Sequence, residues 1–83
     1  MDQQKRLSNE KQFEEWIEKI DGGRIYSFQI SGKHGWIAKY LKETDADETT
    51  LKFWQEIYDH KNNLIEIHQK YPIDTGHKKI KIE

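Results

Sequence analysis

The sequence contains no cysteine, a single proline and only two arginines among its 14 basic residues. The lack of cysteine excludes disulfides and thiolate metal sites, and it favours a reducing compartment, so we expect a cytoplasmic protein. No apolar run is long enough to cross a membrane, and residues 1–6 lack the apolar region of a signal peptide, so no membrane partner is expected. The net charge is −1, which excludes the broad positive field of a non-specific nucleic-acid binder.

Ten aromatic residues (three Trp, four Tyr and three Phe) are the main candidates for a hydrophobic core in a chain of 83 residues. A disordered chain is not expected to carry so many aromatic side chains. We therefore predict a single α+β domain over residues 8–83, preceded by a frayed N-terminus at residues 1–7.

Helical spacing predicts one N-terminal amphipathic helix. Ser8 or Asn9 suits its N-cap, and Gly22 with Gly23 suits its end. Apolar residues between them recur at i, i+3, i+4 and i+7, namely Phe13, Trp16, Ile17 and Ile20.

After residue 23 the apolar period changes to two, which predicts strands. Turn residues divide them into segments 24–31, 36–43, 49–58 and 64–70. In the third segment Leu51, Trp54 and Tyr58 also fit helical spacing, but Thr49, Thr50 and the aromatics favour a strand. The expected fold is a two-layer α+β domain, with the helix packed on a four-stranded antiparallel meander, and a short fifth strand could form around Ile80 and Ile82.

The register of the last hairpin decides which polar side chains meet. If Tyr58 lies opposite Leu64, then Glu56 faces Glu66 and Trp54 faces His68, whereas a three-residue turn would pair Glu56 with His68. Carboxylates beside an imidazole can serve acid–base catalysis, and the alternative is a set of solvated cross-strand pairs.

Residues 66–79 concentrate groups that transfer protons or bind phosphate. Pro72 ends the fourth strand, and Asp74, Thr75 and Gly76 form a turn that brings the following residues back beside it. The candidate catalytic residues are His68, His77, Glu66 and Tyr71. The candidate binding residues are Lys70, Asp74, Lys78 and Trp54.

Three uses of this cluster remain open. It could cleave a phosphodiester by acid–base chemistry, with histidines moving protons, lysines holding the phosphate and Tyr71 stacking a base. It could bind a metal through His68, His77 and Asp74 or Glu66, but the spacing matches no standard ligand pattern, so no metal or other cofactor is expected. It could also be a polar surface for a partner.

Several short motifs resemble a family of small uncharacterised prokaryotic proteins. They are Tyr26-x-Phe28, Gly35-Trp36-x-Ala38-x-Tyr40, Glu56-Ile57-Tyr58-Asp59 and the segment from Glu66 to His77. The chain is also loosely similar to RelE-like toxins of toxin–antitoxin systems, in size, element order and the position of His68, Lys70, Tyr71 and His77. That similarity implies a compact ribonuclease with its active residues near the C-terminal strands.

Two functions follow as hypotheses, and the sequence leaves open whether the protein is an enzyme. The first is a protein-interaction or accessory module that docks an unknown protein partner, or a second copy of itself, on an open sheet face or edge strand. The alternative is a toxin-like ribonuclease that uses the C-terminal cluster on RNA. The near-neutral charge favours the first.

Overall fold

A computed structural model describes residues 2–80. Within this range the chain forms one helix, α1 (Gln3–Gln12), and six strands. The strands are β1 (Glu15–Glu18), β2 (Arg24–Ser31), β3 (Ile37–Thr44), β4 (Thr50–Tyr58), β5 (Leu64–Tyr71) and β6 (Gly76–Lys79). They form one antiparallel sheet in chain order, with every strand paired to its sequence neighbour.

The prediction of one N-terminal helix and an antiparallel sheet is confirmed, but the strand count of four or five is wrong. The described residues form six strands, because β1 and β6 extend the predicted meander at its two edges. The four predicted strands agree with β2 to β5 to within a residue at each end, and the strand interpretation of 50–58 is correct. The predicted fifth strand falls earlier, at β6, and Ile82 lies outside the described residues.

The helix lies N-terminal to its predicted position. Asp2 is the N-cap, since its Oδ1 accepts the backbone N–H of Lys5 at 3.0 Å, and the helix ends at Gln12 with Phe13 as its C-cap. Trp16 and Ile17, assigned to the helix by their spacing, lie in β1 and pair with Tyr26 and Ile25. Pairing with β2 gives this segment its backbone hydrogen bonds and overrides the helical period.

Phe13 defines the two faces of the sheet. Its ring packs on Tyr26, Phe28 and Phe53, with centroids 5.8, 5.4 and 6.3 Å away. These residues mark the helix-bearing face, and the strand neighbours that alternate with them, such as Leu41 and Trp54, mark the opposite face. Phe13 and Tyr26 are fully buried, so the core lies beneath the end of the helix.

A buried carboxylate ties the helix to the sheet. Glu48, in the β3–β4 turn, accepts from Arg6 Nε at 2.6 Å, Asn9 Nδ2 at 3.0 Å and the Tyr26 hydroxyl at 2.8 Å. Burial alone would raise the pKa of Glu48, but the hydrogen bonds from Tyr26, Asn9 and Arg6 outweigh it and lower the pKa. We call these four residues the Glu48 clamp.

Two register shifts interrupt the pairing of β4 with β5. Tyr58 pairs with Leu64 but Ile57 pairs with Glu66, so Ile65 is an extra residue in β5. At the other end Phe53 pairs with Tyr71 and Trp54 with Gln69, which leaves Lys70 as a second extra residue. Each extra residue reverses the alternation of the strand relative to its neighbour, so these bulges decide which side chains reach the helix-bearing face.

Candidate functional site

A row of directly paired residues crosses the helix-bearing face. Phe28 pairs with Tyr40, Tyr40 with Gln55, Gln55 with His68 and His68 with His77. The first two rings stack at 4.9 Å, and Gln55 Nε2 donates to the Tyr40 hydroxyl at 3.1 Å. The row ends in two imidazoles whose ring centroids are 4.4 Å apart, so the two histidines predicted from the sequence lie in direct contact.

His77 has the geometry of a proton-transfer residue. The Glu66 Oε1 lies 3.2 Å from its Nδ1, and about half of the His77 side chain (51%) is exposed. The negative charge on that side favours the tautomer with the proton on Nδ1. In that tautomer the lone pair is on Nε2, the nitrogen farther from Glu66.

His68 is held from the other side by the turn before β6. Its Nε2 lies 2.6 Å from Asp74 Oδ1, which also accepts the backbone N–H of Gly76 at 2.9 Å. The Gly76 amide and, after it, His68 lower the pKa of the Asp74 carboxyl. The Nδ1 of His68 is buried and has no hydrogen-bond partner among residues 2–80. His68 therefore suits a role in positioning His77 better than direct contact with a substrate.

Lys70 brings a positive charge to the same face. Its Nζ lies 5.1 Å from the centre of the Tyr40 ring and 5.7 Å from that of Phe53. This cation–π placement holds the ammonium group over the sheet, one residue pair away from the histidines. The bulge at Lys70 produces this orientation, since Lys70 is the extra residue there.

Tyr71, the remaining catalytic candidate, lies at the end of β5 opposite Phe53, with about half of its side chain exposed. It lines a cleft beneath the helix together with Phe13 and Phe53. Its place is therefore beside the histidine pair on the same face, where it can contact a bound group.

Trp54 and Lys78, two predicted binding residues, do not join this cluster. Trp54 pairs with Gln69 and Lys78 with Ile67, positions that alternate away from His68. Tyr58 lies opposite Leu64, as in the first predicted register, but the extra residue Ile65 shifts the pairs that follow. His68 therefore pairs with Gln55, and not with Trp54 or Glu56.

The opposite face carries a separate polar group along β4. Glu56 accepts from Trp54 Nε1 at 3.0 Å and from the Tyr58 hydroxyl at 2.7 Å. The hydrogen bond to Glu56, with burial, raises the pKa of Tyr58 to about 12. These carboxylate contacts are satisfied within one strand, and they fix Trp54 in place.

Sequence reasoning missed Tyr40, Gln55 and Lys42 as neighbours of the site. Tyr40 and Gln55 belong to the paired row, and Lys42 Nζ reaches Asn9 Oδ1 at 2.9 Å beneath the helix. Burial lowers the pKa of Lys42, against the opposing effect of the Glu48 charge. A cross-strand alignment of β3 with β4 would have identified Tyr40 and Gln55, because these strands pair without a shift until Glu43.

In comparisons with known proteins, no protein-family model, curated protein or solved structure matches the chain. In the described residues, no group of three or more His, Cys, Asp or Glu side chains is arranged to hold a metal ion. No helix in the same residues is long and apolar enough to span a membrane.

Proposed function

We propose that this protein is a ribonuclease that cleaves RNA by acid–base catalysis at His77. The observation that carries the proposal is the contact between Glu66 and His77 Nδ1 on an exposed imidazole, whose ring centroid lies 4.4 Å from that of His68 at an interplanar angle of 52°. A carboxylate beside one nitrogen of an exposed imidazole is an arrangement by which enzymes prepare a histidine to accept a proton.

RNA suits such a site because it brings its own nucleophile. A 2′-hydroxyl lies next to each phosphodiester, so the protein needs to supply a base and a cation, and no nucleophilic side chain. His77 Nε2 would take the 2′-hydroxyl proton while the 2′-oxygen attacks phosphorus. The bond to the 5′-oxygen breaks, that oxygen takes a proton from water, and the products carry a 2′,3′-cyclic phosphate and a 5′-hydroxyl.

Lys70 would neutralise the phosphate in this reaction. Its ammonium group lies over the Tyr40 and Phe53 rings on the face that carries His77. Since the net charge of the chain is −1, affinity must come from such local contacts and not from a long-range field. Lys70→Gln should then reduce the slope of log affinity against log salt concentration by about 0.7 in magnitude, the contribution of one phosphate contact to a single strand.

The test is cleavage of transfer RNA and ribosomal RNA by the purified chain, with the product ends identified chemically. We expect cyclic phosphate ends, and a loss of roughly 100-fold or more in rate for His77→Ala, the usual contribution of a general base. Glu66→Gln should cost less, because it removes the charge beside Nδ1 and leaves His77 itself in place.

His60→Ala is the matched control, because His60 is an exposed histidine in the β4–β5 turn, away from the paired row. It should cleave RNA at the parent rate. Circular dichroism on each variant separates loss of the site from loss of the fold. Failure of the parent protein to cleave either RNA, or full activity of a folded His77→Ala protein, contradicts the proposal.

The free edge of β1 supports a second candidate, the interaction module. Ile17 is 71% exposed and Ile20 is fully exposed beside it. Antiparallel pairing of the whole of β1 with a second copy, Trp16 opposite Ile17, would set Glu15 opposite Glu18, and like charges facing each other are unfavourable. We therefore expect a monomer by light scattering. A stable dimer that Ile17→Lys dissociates would favour the module over the enzyme.

A further inference from the structure

A cleft of about 580 Å³ opens between α1 and the sheet. Three rings line it, those of Phe13, Phe53 and Tyr71, and two lysines, Lys5 and Lys42, contribute positive charge. Flat apolar walls with cations nearby match a planar, apolar group that is attached to an anion.

The cleft adjoins the histidine pair on the same face. Phe53 pairs with Tyr71 in the cleft, and Gln55, two residues further along β4, pairs with His68. Two residues of a strand span about 7 Å. Lys70 lies between the two places, because its Nζ is 5.7 Å from the Phe53 ring in the cleft and 5.1 Å from the ring of Tyr40, the partner of Gln55. A phosphate held at Lys70 would therefore have His77 on one side and the cleft on the other.

We infer that this cleft binds the nucleobase of the nucleotide that adjoins the scissile phosphate. The inference rests on the proposed ribonuclease function and names the part of the substrate that positions it. The base would stack on Tyr71 and Phe53, and its phosphate would point along the face toward Lys70 and His77. The third ring, Phe13, ties the subsite to the end of the helix, so the helix forms one wall of it.

Two polar side chains of the cleft, Asn9 and Glu48, are already engaged and are not free to read a base. Asn9 donates to Glu48 with its Nδ2 and accepts from Lys42 with its Oδ1, so both ends of the amide are already engaged. Both oxygens of Glu48 are engaged by the clamp. Stacking on aromatic rings accepts every base, because every base has a flat face.

The experiment measures KM and kcat for RNA cleavage by Tyr71→Leu, together with binding of adenosine 3′-monophosphate to the parent protein by NMR. Tyr71 is half exposed, so its replacement should leave the fold intact. Loss of a stacked base should raise KM about 10-fold. The same substitution should leave kcat within about twofold, because a stacking contact that is equally strong in the ground state and the transition state affects binding alone. The nucleotide should shift the ring protons of Phe13, Phe53 and Tyr71.

Trp36→Leu is the control for the loss of an exposed aromatic ring. Trp36 lies next to the β2–β3 turn, outside the cleft, and its replacement should leave KM unchanged. If His77→Ala stops cleavage while Tyr71→Leu keeps the parent KM and the nucleotide shifts no cleft ring, the subsite is overturned and the ribonuclease stands. If the nucleotide shifts the cleft rings of a protein that cleaves no RNA, the cleft is supported as a nucleotide site and the catalytic proposal fails.

Discussion

Replacing Glu48 by glutamine should destabilise the protein far more than an ordinary surface substitution. The side chain of Glu48 has no exposure to solvent and accepts from Arg6, Asn9 and Tyr26. Glutamine keeps the shape but offers one acceptor oxygen. With that oxygen toward Arg6, the amide nitrogen opposes the Asn9 Nδ2 donor. Loss of the carboxylate charge beside Arg6 and one unpaired buried donor should together cost about 3 kcal/mol.

That loss is large for this chain. At about 0.1 kcal/mol per residue, a domain of 83 residues has a free energy of unfolding of roughly 8 kcal/mol. A 3 kcal/mol change should lower Tm by about 12–24 °C in a domain of this size. Urea unfolding and a thermal melt, each followed by circular dichroism, measure both quantities.

Glu43→Gln is the matched control. Glu43 pairs with Lys19 at 2.7 Å near the surface, so the same change should cost less than about 1 kcal/mol. Equal losses for the two variants would refute the role given to the clamp.

The stability that Glu48 contributes also depends on pH. Because the folded pKa of Glu48 is lowered, its contribution is complete above the ordinary value of 4.5 and declines as pH falls below it. The difference in free energy of unfolding between the parent and Glu48→Gln should therefore become smaller in acid.

Three further predictions use single substitutions and titration. Gly23→Ala should destabilise the fold by about 3 kcal/mol, because a Cβ there would overlap the carbonyl oxygen of Thr44. Gly76→Ala meets open space at φ +67° and should cost only about 1 kcal/mol, so urea unfolding should rank the two variants clearly. Ultraviolet titration should find that Tyr58 ionises near pH 12, and burial with the hydrogen bond to Glu48 should also raise the pKa of Tyr26 above 10.0. Glu56→Gln should return the pKa of Tyr58 toward 10.0, and an unchanged titration of that residue would contradict the assigned hydrogen bond.

The sequence predicts the middle of the sheet well, because the period of two and the turn residues act locally. Strands β2 to β5 agree with the predicted segments, and Pro72 follows the end of β5 as expected. The N-terminal helix is misplaced for an equally local reason. Phe13 to Ile20 fit a helical spacing, and only the partner strand β2 reveals that Trp16 belongs to a sheet.

The candidate site could be predicted in part. The turn at Asp74–Gly76 predicts that His77 returns beside His68, and the structure pairs these two residues. The exclusion of Trp54 could not be predicted, because the bulge at Ile65 decides which residue of β4 faces His68. A bulge arises from the fit between two strands, which the sequence of either strand does not display. The exclusion of Lys78 follows from alternation once His77 pairs with His68, since β5 and β6 pair without a shift.

The extra residue Ile65 gives the fold and its chemistry different tolerances to mutation. If β5 kept Ile65 but paired without this bulge, Glu66 would lie opposite Glu56 and His68 opposite Trp54, so both side chains would leave the face that carries Gln55 and Tyr40. A deletion of Ile65 would instead remove the bulge and keep His68 opposite Gln55. The proposed site should therefore survive the loss of this residue better than a change that straightens the strand while keeping it.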